Sequence, residues 1–163
     1  MFWWRKMNKL LLEAIQNDDF EKVKEHLKYG ARINAIERFD GEKETPLSLA
    51  CSLGKKEMAS FLIEQGASVD TKTESGYWSL MAAASKGHKE IVELLLEKGA
   101  TLNTLTTEGD FIMGLCIHKG YPQIAKLLDE ASKKAFGTEK IGTHQSGKMV
   151  FQSASMSNNQ NVK

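Results

Sequence analysis

Apolar and polar residues follow one another along this chain with helical spacing, in short bursts rather than long runs. In "KEIVELLLEKG", residues 89–99, Ile91, Val92, Leu95 and Leu96 fall on one face of a predicted helix. Just upstream, "LMAAAS" at 80–85 predicts a shorter helix whose small side chains let a neighbour come close. A Gly-His turn at 87–88 joins the two, and Gly99 suits the left-handed position that closes a helix. Neither helix can bury its apolar face within so small a pair. Such pairs must stack, each contacting its neighbours, which is the logic of a solenoid.

The same pattern recurs at a step of 33 residues, seen first in Gly66-Ala67 and Gly99-Ala100 and again in Gly54, Gly87 and Gly120. Leu47, Leu80 and Met113 share one phase, and Ala50, Ala83 and Cys116 another. Met58, Ile91 and Ile124, then Leu62, Leu95 and Leu128, complete the register. Upstream, Gly30-Ala31 lies 36 residues before Gly66-Ala67, so three residues are inserted between the first two units. The polar stretch "NAIERFDGEKE", 34–44, is the expected place for them, as a lengthened loop that costs little. Leu11, Ala14, Val23 and Leu27 fill the phases of the first unit.

With that register, "ETPLSLACSLGKKEMASFLIEQGASVD" (44–70) and "LMAAASKGHKEIVELLLEKGATLN" (80–103) resemble ankyrin repeats. The likeness lies in the Thr-Pro-Leu opening, the small-residue first helix and the Gly-Ala close. It covers about residues 8–131; the first and fourth units diverge, as terminal repeats do where one side faces water. The resemblance implies an all-α, ankyrin-repeat solenoid of stacked helix-turn-helix units with finger loops. We expect an aromatic and basic cap at 1–7, repeats at about 8–40, 41–75, 76–108 and 109–136, and a disordered polar tail at 137–163. Within that tail "KMVFQ", 148–152, is the one apolar patch, either a short docking motif or nothing.

The family pattern has a Thr and a His that brace the turn into each first helix. Thr45 and Pro46 follow it, whereas the third unit reads Trp78-Ser79-Leu80-Met81 and the fourth Phe111-Ile112-Met113-Gly114. Trp78 is therefore read as a seam residue that replaces the missing polar brace by packing on a neighbouring repeat. Tyr77, at a variable finger position, is read as a partner contact.

Composition adds exclusions. The net charge of +1 argues against bulk attraction to nucleic acid or to an anionic membrane. It hides a split: residues 1–132 hold 17 Lys/Arg against 20 Asp/Glu, and residues 133–163 hold 5 Lys against 1 Glu. Cys51 and Cys116 make no disulfide framework and read as small hydrophobes. There is no run of 18 apolar residues, and "MFWWRKMNKLLLEAI" lacks both the cleavage site and the unbroken apolar core of a signal peptide. A cytoplasmic location is the expectation, with the nucleus or export as an effector of a host-associated microbe as alternatives.

No catalytic constellation emerges. "GEKETP" and "GTEKIGTHQSGK" do not fit a phosphate-binding loop, and His26, His88, His118 and His144 have no metal-ligand spacing with either cysteine. His88 reads as a structural turn residue, and Asp18-Asp19 as the start of the first unit's second helix. We expect no enzyme, no cofactor and no metal. "MFWWRKM" has the residues of an interfacial anchor, but the preferred reading is that Phe2, Trp3 and Trp4 fold back over the open end of the first repeat.

What the resemblance implies instead is a monomeric protein-binding module (adaptor, scaffold or inhibitor) whose partners are proteins, with neither nucleic acid nor membrane among them. A membrane-associated adaptor anchored by residues 1–7 is the alternative. Carried over by register, the concave surface comprises Gln16 and Asn17; Glu42, Glu44, Ser52 and Leu53; Lys72, Glu74, Ser75, Tyr77, Ser85 and Lys86; and Glu108, Asp110, His118 and Lys119.

Overall fold

Four antiparallel helix pairs stack side by side in the computed structural model, which describes residues 3–71, 79–100 and 112–136, with side chains through Lys134. The inner helices are α1 (Trp3–Gln16), α3 (Pro46–Ser52), α5 (Ser79–Ser85) and α7 (Ile112–His118). Their partners, forming the outer layer, are α2 (Phe20–Lys28), α4 (Lys56–Glu64), α6 (Lys89–Glu97) and α8 (Pro122–Phe136). Within the inner layer α1 packs on α3, α3 on α5 and α5 on α7; in the outer layer α4 packs on α6 and α6 on α8. The architecture is the all-α solenoid that the periodicity predicts.

The core follows the register. Met58, Ala59 and Leu62 of α4 are buried, as are Ile91, Val92 and Leu95 of α6 and Ile124, Ala125 and Leu128 of α8. Each triad gives its helix one apolar edge, and a fully buried Leu there contributes about 2 kcal/mol. Inner helices are kept slim: Ala82, Ala83 and Ala84 of α5 are all buried between α3 and α7. Cys51 and Cys116 sit unpaired in the same inner layer. Burial raises the Cys116 thiol to about 11 and that of Cys51 higher still, so neither is a thiolate at neutral pH.

Helix ends are closed by local chemistry. Thr45 accepts a hydrogen bond from the Ser48 amide at 3.0 Å while Ser48 Oγ accepts from the Thr45 amide at 2.8 Å, a reciprocal cap with Pro46 in the first turn. Asp19 alone caps α2, accepting from the Lys22 amide at 3.0 Å, and that bond holds its carboxyl below the usual range. Asp18 lies in the preceding turn with φ of 59°, not at the helix start. In the third unit Ser79, at the position of Pro46, has its Oγ buried without a hydrogen-bond partner among the described residues. Trp78, read as the seam there, lies outside the described residues.

Two expectations change. The stretch 34–44, expected to take up three extra residues as a lengthened loop, contains a hairpin of β1 (Glu37–Phe39) and β2 (Glu42–Glu44), with Glu37 opposite Glu44 and Phe39 opposite Glu42. Asp40 and Gly41 form its two-residue turn with φ of 49° and 90°, the left-handed pair that Asp-Gly accepts best. Secondly, residues 3–7 are not a folded-back cap. They are the start of α1, and Trp3 and Trp4 remain 66% and 41% exposed. Phe2 lies outside the described residues, as does 137–163.

Candidate functional site

The inserted hairpin decides the shape of the inner face. Asn8, fully buried in α1, donates from Nδ2 to Glu37 Oε1 at 2.9 Å and accepts the Arg32 amide on Oδ1 at 2.8 Å. One side chain thus pins both the close of the first unit and the base of β1. From that anchor the hairpin lies along α1, and its tip reaches the end of that helix: Phe39, Asp40 and Glu42 share a cleft with Gln16. The opposite wall is Leu49, Ser52 and Leu53 of the α3 end, and Lys86 just after α5. The cleft encloses about 410 Å³.

Six residues assigned to the concave face from sequence therefore come together: Gln16, Glu42, Glu44, Ser52, Leu53 and Lys86. Gln16, Glu42, Leu53 and Lys86 are exposed; Ser52 is half-buried, its hydroxyl donating to the Leu49 carbonyl at 3.0 Å. Asn17, His118 and Lys119 are exposed but do not line the cleft. Lys72, Glu74, Ser75, Tyr77, Glu108 and Asp110 lie outside the described residues.

Two assignments need correction. Glu44 is not a free finger-tip carboxylate: it is 7% exposed, because pairing with β1 turns it inward, where Ser48 Oγ donates to it. Burial raises its carboxyl above the ordinary value, against the opposing effects of the Ser48 bond and the Lys86 charge. It forms the floor of the cleft rather than its rim. Ser85 is 5% exposed and bonds back to the Ala82 carbonyl at 3.2 Å. The small side chains of α5 let its neighbours close over that position, whereas Ser52, one unit earlier, stays half open.

Sequence reasoning missed Phe39, Asp40, Lys43 and Leu49 as cleft residues. The signal was present: Asp-Gly flanked by strand-length segments is a strong hairpin cue. The cleft walls carry Asp40 and Glu42 beside Lys43 and Lys86, with Phe39, Leu49 and Leu53 between. Such a mixture suits a polypeptide segment with both charge and apolar side chains. Among the described residues no group of His, Cys, Asp or Glu could hold a metal ion.

A family profile described as ankyrin repeats, in three copies, matches residues 11–106. The chain belongs to the ankyrin-repeat family. The Ankyrin repeat and KH domain-containing protein mask-1 of Caenorhabditis elegans is 43% identical over 68 residues, which cover 40% of this chain and 2% of that protein. The chain thus aligns with a small fraction of that relative's length. Ankyrin repeats are in general protein–protein interaction modules.

Proposed function

We propose that this chain is a non-catalytic adaptor, scaffold or inhibitor that holds a segment of a partner protein in the cleft between the Asp40-Gly41 hairpin and the ends of α3 and α5. The observation that carries the reading is the convergence of Gln16, Glu42, Leu53 and Lys86, from separate helix pairs and the insertion, on one concavity. Exposed Leu53 supplies apolar contact, and the opposed charges of Glu42 and Lys86 fix the direction of a bound segment. A monomeric state belongs to the same proposal, as does a cytoplasmic location, where two buried free thiols would stay reduced.

The test compares the full chain with a Leu53→Ser/Lys86→Ala variant in affinity capture with mass spectrometry, after circular dichroism shows equal helicity. A protein retained by the first and lost from the second supports the cleft. Equal retention by both removes the cleft from the proposal.

A further inference from the structure

α1 has 14 residues where α3, α5 and α7 have 7 each. By the 36-residue step its last residue, Gln16, matches Ser52, the last residue of α3, so the whole excess lies at its N-terminal end. Residues 3–9 form a spur about 10 Å long at the helical rise of about 1.5 Å per residue. Met7 and Asn8 hold its inner side against the solenoid. Around it Trp3, Trp4, Arg5, Lys6 and Lys9 are all exposed, with Trp4 on the same face as Met7 and Asn8, and no acidic residue occurs before Glu13.

The adjoining surface extends this character. Arg32 lies over the Trp4 ring at 5.1 Å. Ile36, 40% exposed, shares with Trp4 and Arg5 an open depression of about 810 Å³. The carboxylate in that depression, Glu37, is buried and bonded to the neutral Asn8, so it offsets one positive charge and leaves the surface a net excess of cations from Arg5, Lys6, Lys9 and Arg32. Among the described residues, none of Arg5, Lys6, Lys9 and Arg32 forms an ion pair with a carboxylate.

We propose that this spur is a peripheral docking surface for an anionic lipid bilayer, with Trp3 and Trp4 seated at headgroup depth and Arg5, Lys6, Lys9 and Arg32 facing lipid phosphates and carboxylates. Exposed indoles beside unpaired cations are the residue combination that partitions to a membrane interface. Only residues 3–6, about one helical turn, extend beyond the packed Met7 and Asn8, and so short an exposed end seats on a surface rather than enclosing a bound chain. No helix among the described residues is long and apolar enough to cross a membrane, so the attachment is peripheral. The local excess of cations acts within a Debye length, which is how a chain with net charge +1 can still bind an anionic surface.

The experiment is co-sedimentation of the full chain with phosphatidylcholine vesicles and with vesicles containing phosphatidylserine. Binding should require phosphatidylserine and weaken as salt is raised. Trp3→Ala/Trp4→Ala and Arg5→Glu/Lys6→Glu should each lower partitioning about tenfold or more at unchanged helicity. The Leu53→Ser/Lys86→Ala variant should sediment like the parent, which separates this surface from the cleft. No sedimentation with anionic vesicles, or sedimentation of both spur variants equal to that of the parent, overturns the proposal. So does capture of the spur by polyglutamate without vesicle binding, which would make an acidic polypeptide its partner.

Discussion

His88 Nε2 lies 3.1 Å from the carbonyl oxygen of Ser52, joining the turn of the third unit to the end of α3 in the second. A carbonyl can only accept, so Nε2 carries the proton and donates. The ring also covers Gly54, with its Cε1 at 2.6 Å from where a Cβ on that glycine would stand. Tyr121 repeats the arrangement over Gly87 one unit later. His88→Ala removes a hydrogen bond and a packed ring together, and should cost about 1–3 kcal/mol. The fall of the urea midpoint measures it.

Gly54 answers to the same ring. Its φ of 74° already disfavours any L side chain, and the imidazole blocks the space as well. Gly66, with φ of 94°, has nothing within 4 Å of the place a Cβ would take, so a Gly66→Ala change meets the backbone penalty alone, about 1–2 kcal/mol. Gly54→Ala should therefore destabilise more than Gly66→Ala in the parent chain and by a similar amount in a His88→Ala background. Chemical denaturation of the parent, Gly54→Ala, His88→Ala and the double variant forms a double-mutant cycle, and additivity would refute the steric coupling.

Glu44 makes stability depend on pH. Burial raises its carboxyl above the ordinary value of 4.5, so the folded chain holds this proton where the unfolded chain has released it. Its contribution is fully present below 4.5 and is lost as pH rises through the folded value. Glu44→Gln has no proton to lose and can still accept from Ser48. The variant's advantage over the parent should grow as pH rises from 4.5 and then level off, as read by melting temperature across the series. A constant difference between the two would show that the raised value is wrong.

The solenoid was legible because repetition makes each apolar position an independent vote: Leu62, Leu95 and Leu128 keep one phase and are all buried. The inner face was only half legible. Register says which residues point toward it, and Leu53 and Lys86 are exposed there. It does not say what an insertion will cover. Glu44 was assigned to an open finger by register alone, which does not tell the inward from the outward side of a strand, and strand pairing with Glu37 buried it. The N-terminal aromatics failed for a related reason. Apolar character suggested that Trp3 and Trp4 fold back, but residues 3–9 continue the helical register of α1, which leaves Trp3 66% exposed and sets the half-open Trp4 ring against Arg32.

Asn8 gives the sharpest test of how the insertion is held. Its amide donates to Glu37 and its carbonyl accepts from Arg32, and the side chain is almost fully buried. Asn8→Ala leaves both partners unpaired and should cost about 2–4 kcal/mol, since each orphaned buried group carries a penalty of about 1–3 kcal/mol. Asn8→Asp keeps the acceptor for the Arg32 amide but sets a carboxylate against Glu37 at the position of a 2.9 Å hydrogen bond. Two carboxylates that close share a proton, so the folded state of this variant takes one up at a pH where the unfolded chain has none. Asn8→Asp should be destabilised at neutral pH and recover as pH falls toward the ordinary carboxylate range, whereas Asn8→Ala should show no such recovery. Hydrogen exchange at the Arg32 amide, which bonds Asn8, and at the Glu37 and Glu44 amides, which face each other as a bonded pair at the base of the hairpin, would report whether the hairpin leaves α1 in each variant, and protection unchanged in both would mean that the hairpin is held by something other than Asn8.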